Sequence, residues 1–318
     1  MSKRALIRVL ALAAALAPAT AFADRATVMI PATPGGGWDS TARMTMQILE
    51  EAKVFNDGAL FINKGGAGGT IALAEFVKAN KGDDNSIMVM GSIMLSAIIA
   101  NKSPVTLDNV VPLARLTREF NAVAVKADSP FKSVADLVNA IKTNPGGTPL
   151  GGGGAGGIDH ATFAMIAATT GTSAKQLNYL PFAGGAEVAT ALGSGQVVAA
   201  ISGLSELKPL ADSGRIKILA VTGEERIPGI DIPTLREQGV DVVMSNWRGL
   251  MGAAGMSEKG KAMWNERLVQ MSKSPEWKET LKKRGFDDAF LAGKDFEAFV
   301  DAEKKSWAKT IADIGIGK

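Results

Sequence analysis

The chain has 318 residues, 46% of them apolar, with 35 Lys and Arg against 32 Asp and Glu, one histidine and no cysteine. The lack of cysteine excludes disulfides, thiolate zinc sites and cysteine nucleophiles, and a single histidine excludes a histidine metal cage or an imidazole acid–base pair. No block of Lys and Arg interleaved with aromatics occurs, so the electrostatic footprint of a nucleic-acid binder is missing.

At the start, Lys3, Arg4 and Arg8 precede an apolar run over 9–16 that is too short to span a bilayer, and Ala21-Phe22-Ala23 supplies small residues at a cleavage spacing. Residues 1–23 are therefore expected to be a secretory signal peptide, leaving an exported, soluble chain from Asp24 onward. Those three basic residues account for the whole formal excess of +3, so the mature chain is near neutral. About 295 residues remain, more than one core usually organises and enough for two domains.

From Ala26 a short β-rich run, a glycine-rich loop and a helical period alternate, as in parallel α/β sheets, and the unit recurs four times. The first runs from Thr27 through Pro34-Gly35-Gly36-Gly37-Trp38-Asp39 to a helix with Ala42, Met46 and Leu49 on one face. The second passes from Leu60 through Gly65-Gly66-Ala67-Gly68-Gly69-Thr70 to a helix carrying Ile71, Ala74 and Val77. The apolar stretch over 87–100, interrupted by Gly91, Ser92 and Ser96, is too short to cross hydrocarbon, and Met88, Met90 and Met94 read as core.

The third unit is the glycine run 151–157 followed by Asp159 as N-cap and a helix with Phe163, Ile166 and Ala167 on one side, stopped by Gly171. The fourth runs over 178–182 into Ala183-Gly184-Gly185, then Val188, Ala191 and Leu192, stopped by Gly193. Extended runs over 121–125 and 240–245 read as two crossings between domains. This predicts one lobe over 24–123 and 247–318 and a second over 124–246. Beyond the second crossing the chain is helical and amphipathic, with Ser257 and Ser274-Pro275 as start signals and Gly285 as a stop, and is expected to pack back on the first lobe.

A strand that ends in glycines and opens a helix presents unpaired N–H groups and the positive end of the helix dipole at one spot. Glycine admits both positive φ and the close approach of a ligand. One such terminus contributes roughly 0.3 to 2 kcal/mol toward an anion, and several converging on a cleft, with other hydrogen bonds, reach the ~8 kcal/mol of a micromolar site. One glycine loop alone does no more than turn the chain, but four of one type, two per half, point to a shared anion cleft. With no arginine cluster inside the loops, a small carboxylate suits them better than a nucleotide.

Competing motifs lack their companions. The run Gly152-Gly153-Gly154-Ala155-Gly156-Gly157 satisfies G-x-G-x-x-G, but Leu177-Asn178-Tyr179 stands where a dinucleotide site needs an acid. Ser205-Glu206-Leu207-Lys208 matches S-x-x-K without S-D-N or K-T-G. His160 is either a first-turn residue bonded locally or a cleft residue. Asp39 and Asp159 are each either plain N-caps or, beside an anion site, carboxylates that orient loop amides. Trp38 either covers a ligand or seals the domain interface, and Trp247 is expected to pack at the hinge.

These motifs, continued by Leu219-Ala220-Val221-Thr222, Pro233-Thr234-Leu235-Arg236-Glu237-Gln238-Gly239 and Asn246-Trp247-Arg248-Gly249, resemble the substrate-binding proteins of the tripartite tricarboxylate transporter family, also called the Bordetella uptake gene family. The resemblance spans nearly the whole chain after residue 23. It implies an α/β, two-lobed type II periplasmic binding fold, each lobe a mixed sheet flanked by helices. A small carboxylate, a di- or tricarboxylate such as citrate, is then captured in the periplasm. Delivery is to one large and one small integral membrane subunit, with no cofactor, metal or catalytic residue. The expected ligand contacts are Gly36, Gly37, Trp38, Asp39, Gly66, Ala67, Gly68 and Ser92 from the first lobe. From the second they are Gly154, Gly156, Asp159, His160, Ala183, Gly184 and Gly185. A ligand-sensing module for a receptor kinase would use the same cleft, and a hydrolase lacks a nucleophile with its base.

Overall fold

Runs such as Thr27-Val28-Met29-Ile30 suit strands because branched side chains pack well on a pleated surface, and the amphipathic stretch after each loop covers the sheet. In the computed structural model, which describes residues 25–284 and 286–316, these runs build two mixed sheets that share one strand. The first sheet has the order β2 (Ala59–Asn63), β1 (Ala26–Ile30), β3 (Ser86–Gly91), β9 (Ser245–Gly252), β4 (Val111–Lys126), with β10 (Asp287–Ala292) also on β4. In it β1 is parallel to β2 and β3, and the remaining pairs are antiparallel. In the second sheet β4 lies antiparallel to β7 (Ala199–Gly203) and β8 (Ile216–Val221), and β5 (Pro149–Gly152) is parallel to β6 (Asn178–Pro181) and β7.

The expected crossing over 121–125 is the far end of the 16-residue β4. Up to Phe120 this strand pairs with β9, and from Asn121 it pairs with β7 and β8. The other run, 240–245, is irregular, and the strand begins only at Ser245. Thr222 fastens the two passages together. Its Oγ1 accepts from the Asn121 amide at 2.9 Å and donates to the Met244 carbonyl at 2.6 Å, and its own N–H donates to Asn121 O at 2.9 Å.

Helices α1 (Gly37–Glu51), α2 (Thr70–Ala79) and α3 (Ser92–Ala100) cover the first sheet, and α4 (Val134–Thr143), α5 (Ile158–Ala168), α6 (Gly185–Ser194) and α7 (Leu204–Asp212) the second. The tail forms α8 (Glu258–Lys273), α9 (Pro275–Arg284) and α10 (Gly293–Ile314). It buries Trp264, Trp277 and Trp307 in the same core as Val28, Ile48 and Phe76. Ser257 and Ser274 accept from the amides of Gly260 and Trp277, as their start signals imply. Strand β10, inside this tail, was not anticipated, because its Asp287-Asp288 opening hides a half-buried edge strand. Among the described residues, no helix is long and apolar enough to cross a membrane. The expected signal peptide, residues 1–23, and the expected stop at Gly285 lie outside the described residues.

Two local readings are corrected, and a third is borne out. On α2 the buried face is Ala72, Leu73 and Phe76, while Ile71 stands 48% exposed, because the helix presents the neighbouring stripe to the sheet. The αL residue that ends α6 is Gly195, with φ +79°, not Gly193. The apolar stretch over 87–100 breaks at Gly91 into β3 and α3, with Met88, Met90 and Met94 all buried.

Gly91 is required by the close approach of β9, since a Cβ there would lie 2.1 Å from the carbonyl oxygen of Trp247. That atom is backbone in a paired strand and has no room to yield. Gly91→Ala is therefore expected to cost at least ~1 to 3 kcal/mol, measured by urea unfolding of the purified chain.

Candidate functional site

All four glycine loops lie at strand ends that feed helices, and they meet in one cleft between the two sheets. In the first, Gly36 precedes α1 with no side-chain cap, and Asp39 lies in the helix's first turn rather than at its N-cap. Asp39 instead accepts from the Gly35 amide at 3.0 Å, from Arg43 Nε at 3.0 Å and from Asn63 Nδ2 at 2.9 Å. Burial opposes ionisation of this carboxyl, but Arg43, the Gly35 amide and Asn63 together hold it below the usual range. In the second loop Gly66, Gly68 and Gly69 have φ of +119°, +63° and +91°, a path that few other residues follow.

The third loop is held in the same way from the other side. Asp159 also lies inside its helix, α5, whose N-cap is Gly157. Its Oδ2 accepts from the Gly153 amide at 2.8 Å and its Oδ1 from Asn121 Nδ2. Tyr179 Oη donates to Gly153 O at 2.6 Å, and His160 Nδ1 accepts from the Gly156 amide at 3.1 Å while its ring stacks on Tyr179 with centroids 4.2 Å apart. Asp39 and Asp159 thus orient loop amides, and His160 takes its local role. At the fourth loop Gly184 precedes α6, and Glu187 Oε2 accepts from the Ala183 amide at 3.1 Å.

The structure brings Gly36, Gly37, Trp38, Gly66 and Gly68 together with Gly154, Asp159, Ala183, Gly184 and Gly185 around one cavity. The two sides touch: a Cβ on Gly154 would lie 2.3 Å from the Gly68 nitrogen. Five expected contacts are elsewhere. Asp39 sits behind the loop it orients, and Ala67 turns the chain between two lining glycines. Gly156 packs toward Ala100, and His160 is taken up by Gly156 and Tyr179. Ser92 is fully buried, accepting from the Trp247 amide at 3.2 Å and donating to Ser245 O at 3.3 Å. It fastens α3 to β9. Trp38 is buried in the first core while also lining the cavity. Trp247 packs edge-to-face on Phe296 and Phe299 of α10, with Nε1 donating to Glu303 at 2.8 Å.

The charged groups of the cleft were missed. Arg248 of β9 and Glu119 of β4 form an ion pair with both side chains 3% exposed. Burial pushes the Glu119 carboxyl up, Arg248 and the Ser205 hydrogen bonds pull it down, and Glu206 adds to the rise. Glu206 Oε1 accepts from the Gly37 amide at 2.6 Å and Oε2 from Ser202 Oγ at 2.7 Å. The signal for Glu206 was a fifth strand–glycine–helix unit, β7 into α7, which carries a single glycine, Gly203, and so escapes a search for glycine runs. Arg248 lies inside Asn246-Trp247-Arg248-Gly249, a motif that carries the family resemblance but assigns the arginine no role.

The cavity amounts to about 50 Å³, which at ~10 to 15 Å³ per water holds a few waters and no citrate-sized acid. Outside it lies an open recess of about 720 Å³, bounded by Arg215, Lys283 and Arg284 and sharing Gly37, Gly185 and Glu206 with the inner cavity.

Burial pushes the Asp159 carboxyl up to about 7, against the Gly153 amide and with help from Glu206 and Glu119, and pushes His160 down to about 4. The folded chain therefore binds the Asp159 proton more tightly than the unfolded chain does. Stability from this group is complete below the ordinary value of 3.8 and is lost as pH rises through about 7. His160 acts oppositely, its contribution being lost as pH falls from 6.5 through about 4. Asp159→Asn is expected to be more favourable relative to the parent at pH 8 than at pH 5 in thermal unfolding. A difference independent of pH would contradict this.

Comparison with known proteins follows the same lines. A family model described as "Tripartite tricarboxylate transporter family receptor" matches residues 43–316. The "UPF0065 protein in gbd 5'region" of Cupriavidus necator is 25% identical, over 97% of this chain and 94% of its own. Among solved structures, the periplasmic binding protein BugD superposes with a TM-score of 0.83 at 23% identity, covering 92% of this chain and 98% of that one. R. palustris Rpa4515 with adipate gives 0.82 at 25% identity, with 92% and 98% covered. MatC from Rhodopseudomonas palustris with bound malate gives 0.79 at 22% identity, with 90% and 99% covered. The fold is the two-lobed periplasmic binding architecture, and the family is one of binding proteins rather than enzymes.

Proposed function

The chain belongs to the tripartite tricarboxylate transporter receptor family, and from that premise we propose that it captures a small di- or tricarboxylate in this cleft and delivers it to the large and small membrane subunits of such a transporter. The observation that carries the reading is the convergence of four glycine loops, two from each sheet, on one cavity. Helix N-termini and exposed loop amides replace water around a carboxylate, and their rigid support by Asp39 and Asp159 means that little reorganisation opposes binding. The bound adipate and malate of two structural relatives support the same ligand class.

In this reading residues 24–123 and 247–318 form one lobe and 124–246 the other, and residues 1–23 direct export to the periplasm. The ligand meets amides of Gly36, Gly37, Gly66 and Gly68 on one lobe and of Gly154 and Gly185 on the other. It gains the second set only when the lobes close, so it shifts the population toward the closed form that the transporter recognises. Calorimetry of the purified chain with citrate, malate, succinate and adipate is expected to give at least one micromolar Kd, about 8 kcal/mol. Silence across the panel would overturn the reading. Gly154→Val leaves the loop's supports in place but sets side-chain atoms against the Gly68 nitrogen. Its expected effect is a loss of affinity of about tenfold or more with little change in unfolding midpoint.

A further inference from the structure

Arg248 is 2% exposed and lines the cavity, yet only part of its guanidinium is satisfied. One terminal nitrogen pairs with Glu119, while Nη1 is buried without a hydrogen-bond partner. Trp38 Nε1 and Asn246 Oδ1, also lining the cavity, are likewise buried and unpartnered. A buried charged donor left unmade is costly, so Arg248 Nη1, beside the unpartnered Trp38 N–H, marks a site built to take an acceptor. The guanidinium also lies against the first glycine loop, since a Cβ on Gly37 would fall 2.3 Å from its Nη2.

The amide of Gly37 is already occupied. Glu206, carried by α7 of the second sheet, reaches across to accept from it at 2.6 Å, so this bond joins the two sheets. The same side chain borders both the small inner cavity and the large basic recess.

We propose that Glu206 is an internal stand-in for the ligand's carboxylate, and that Arg248 is the side chain that recognises the incoming one. Binding moves Glu206 off the Gly37 amide and joins the cavity to the recess. The ligand carboxylate is then set on Gly37 N–H and Arg248 Nη1. The inference rests on the carboxylate reading of the cleft, and it predicts opposite effects from two neighbouring charges, whereas a merely structural role would weaken binding in both variants.

The test is calorimetry of the purified chain with citrate, malate and adipate, comparing the parent with Glu206→Ala, Glu206→Gln and Arg248→Lys. Glu206→Ala is expected to tighten binding about tenfold, with Glu206→Gln, still able to accept from Gly37, in between. Arg248→Lys keeps a cation beside Glu119, so it should unfold near the parental midpoint while losing about tenfold in affinity. Weaker binding by Glu206→Ala, or unchanged binding by Arg248→Lys, would overturn the proposal. If none of the three acids binds any variant, the functional reading fails, and small-angle scattering of the unliganded chain still decides the Glu206 part. Glu206→Ala is expected to increase the radius of gyration relative to the parent, and equal values would rule out the stand-in role.

Discussion

An N–H withdrawn from water needs a hydrogen-bond partner, and in this protein the most consequential one belongs to the half-buried Gly37. It opens α1 at the centre of the cleft, where the helix dipole favours a negative partner and no side chain of its own loop supplies one. The partner is Glu206, 169 residues away in sequence. That one acceptor borders both the cavity and the recess, and it adds to the contact that Gly154 and Gly68 make between the sheets. The same demand explains why the cleft suits an anion.

Around this point the two halves use one device twice. In each, an aspartate from the first turn of a helix reaches back to the amide of the preceding loop, Asp39 to Gly35 and Asp159 to Gly153. The environments then differ. Arg43 and Asn63 keep Asp39 readily ionised, whereas Asp159, enclosed with Glu119 and Glu206 nearby, holds its proton to about 7. Two carboxylates with the same geometric task therefore contribute differently to the charge of the cleft, and burial is the cause. Tyr179 and His160 complete the support of the second loop as a stacked pair. This is why the single histidine, conspicuous in the sequence, has no face on the cavity.

Much of this architecture is local and was legible in the residues. Strand, glycine loop and helix alternate with periods that can be counted, positive φ calls for glycine at Gly66 and Gly68, and serines at 257 and 274 mark helix starts. Readings failed where the answer lay in what packs against an element. The stripe of α2 that meets the sheet is one step from the one chosen, and an acidic pair concealed β10.

The sequence by itself determined the α/β class and the four glycine loops, and it narrowed the two aspartates to capping or amide orientation, because turns, caps and helical periods depend on residues within a few positions of one another. Only the tertiary structure decided which side chains face the cavity. Arg248 meets Glu119 across 129 residues, and Glu206 meets Gly37 through the packing of one sheet's helix against the other's. Ser92 and His160 turn away for the same reason. Such meetings are fixed by strand register and by how two sheets close on each other, and no stretch of neighbouring residues carries that information.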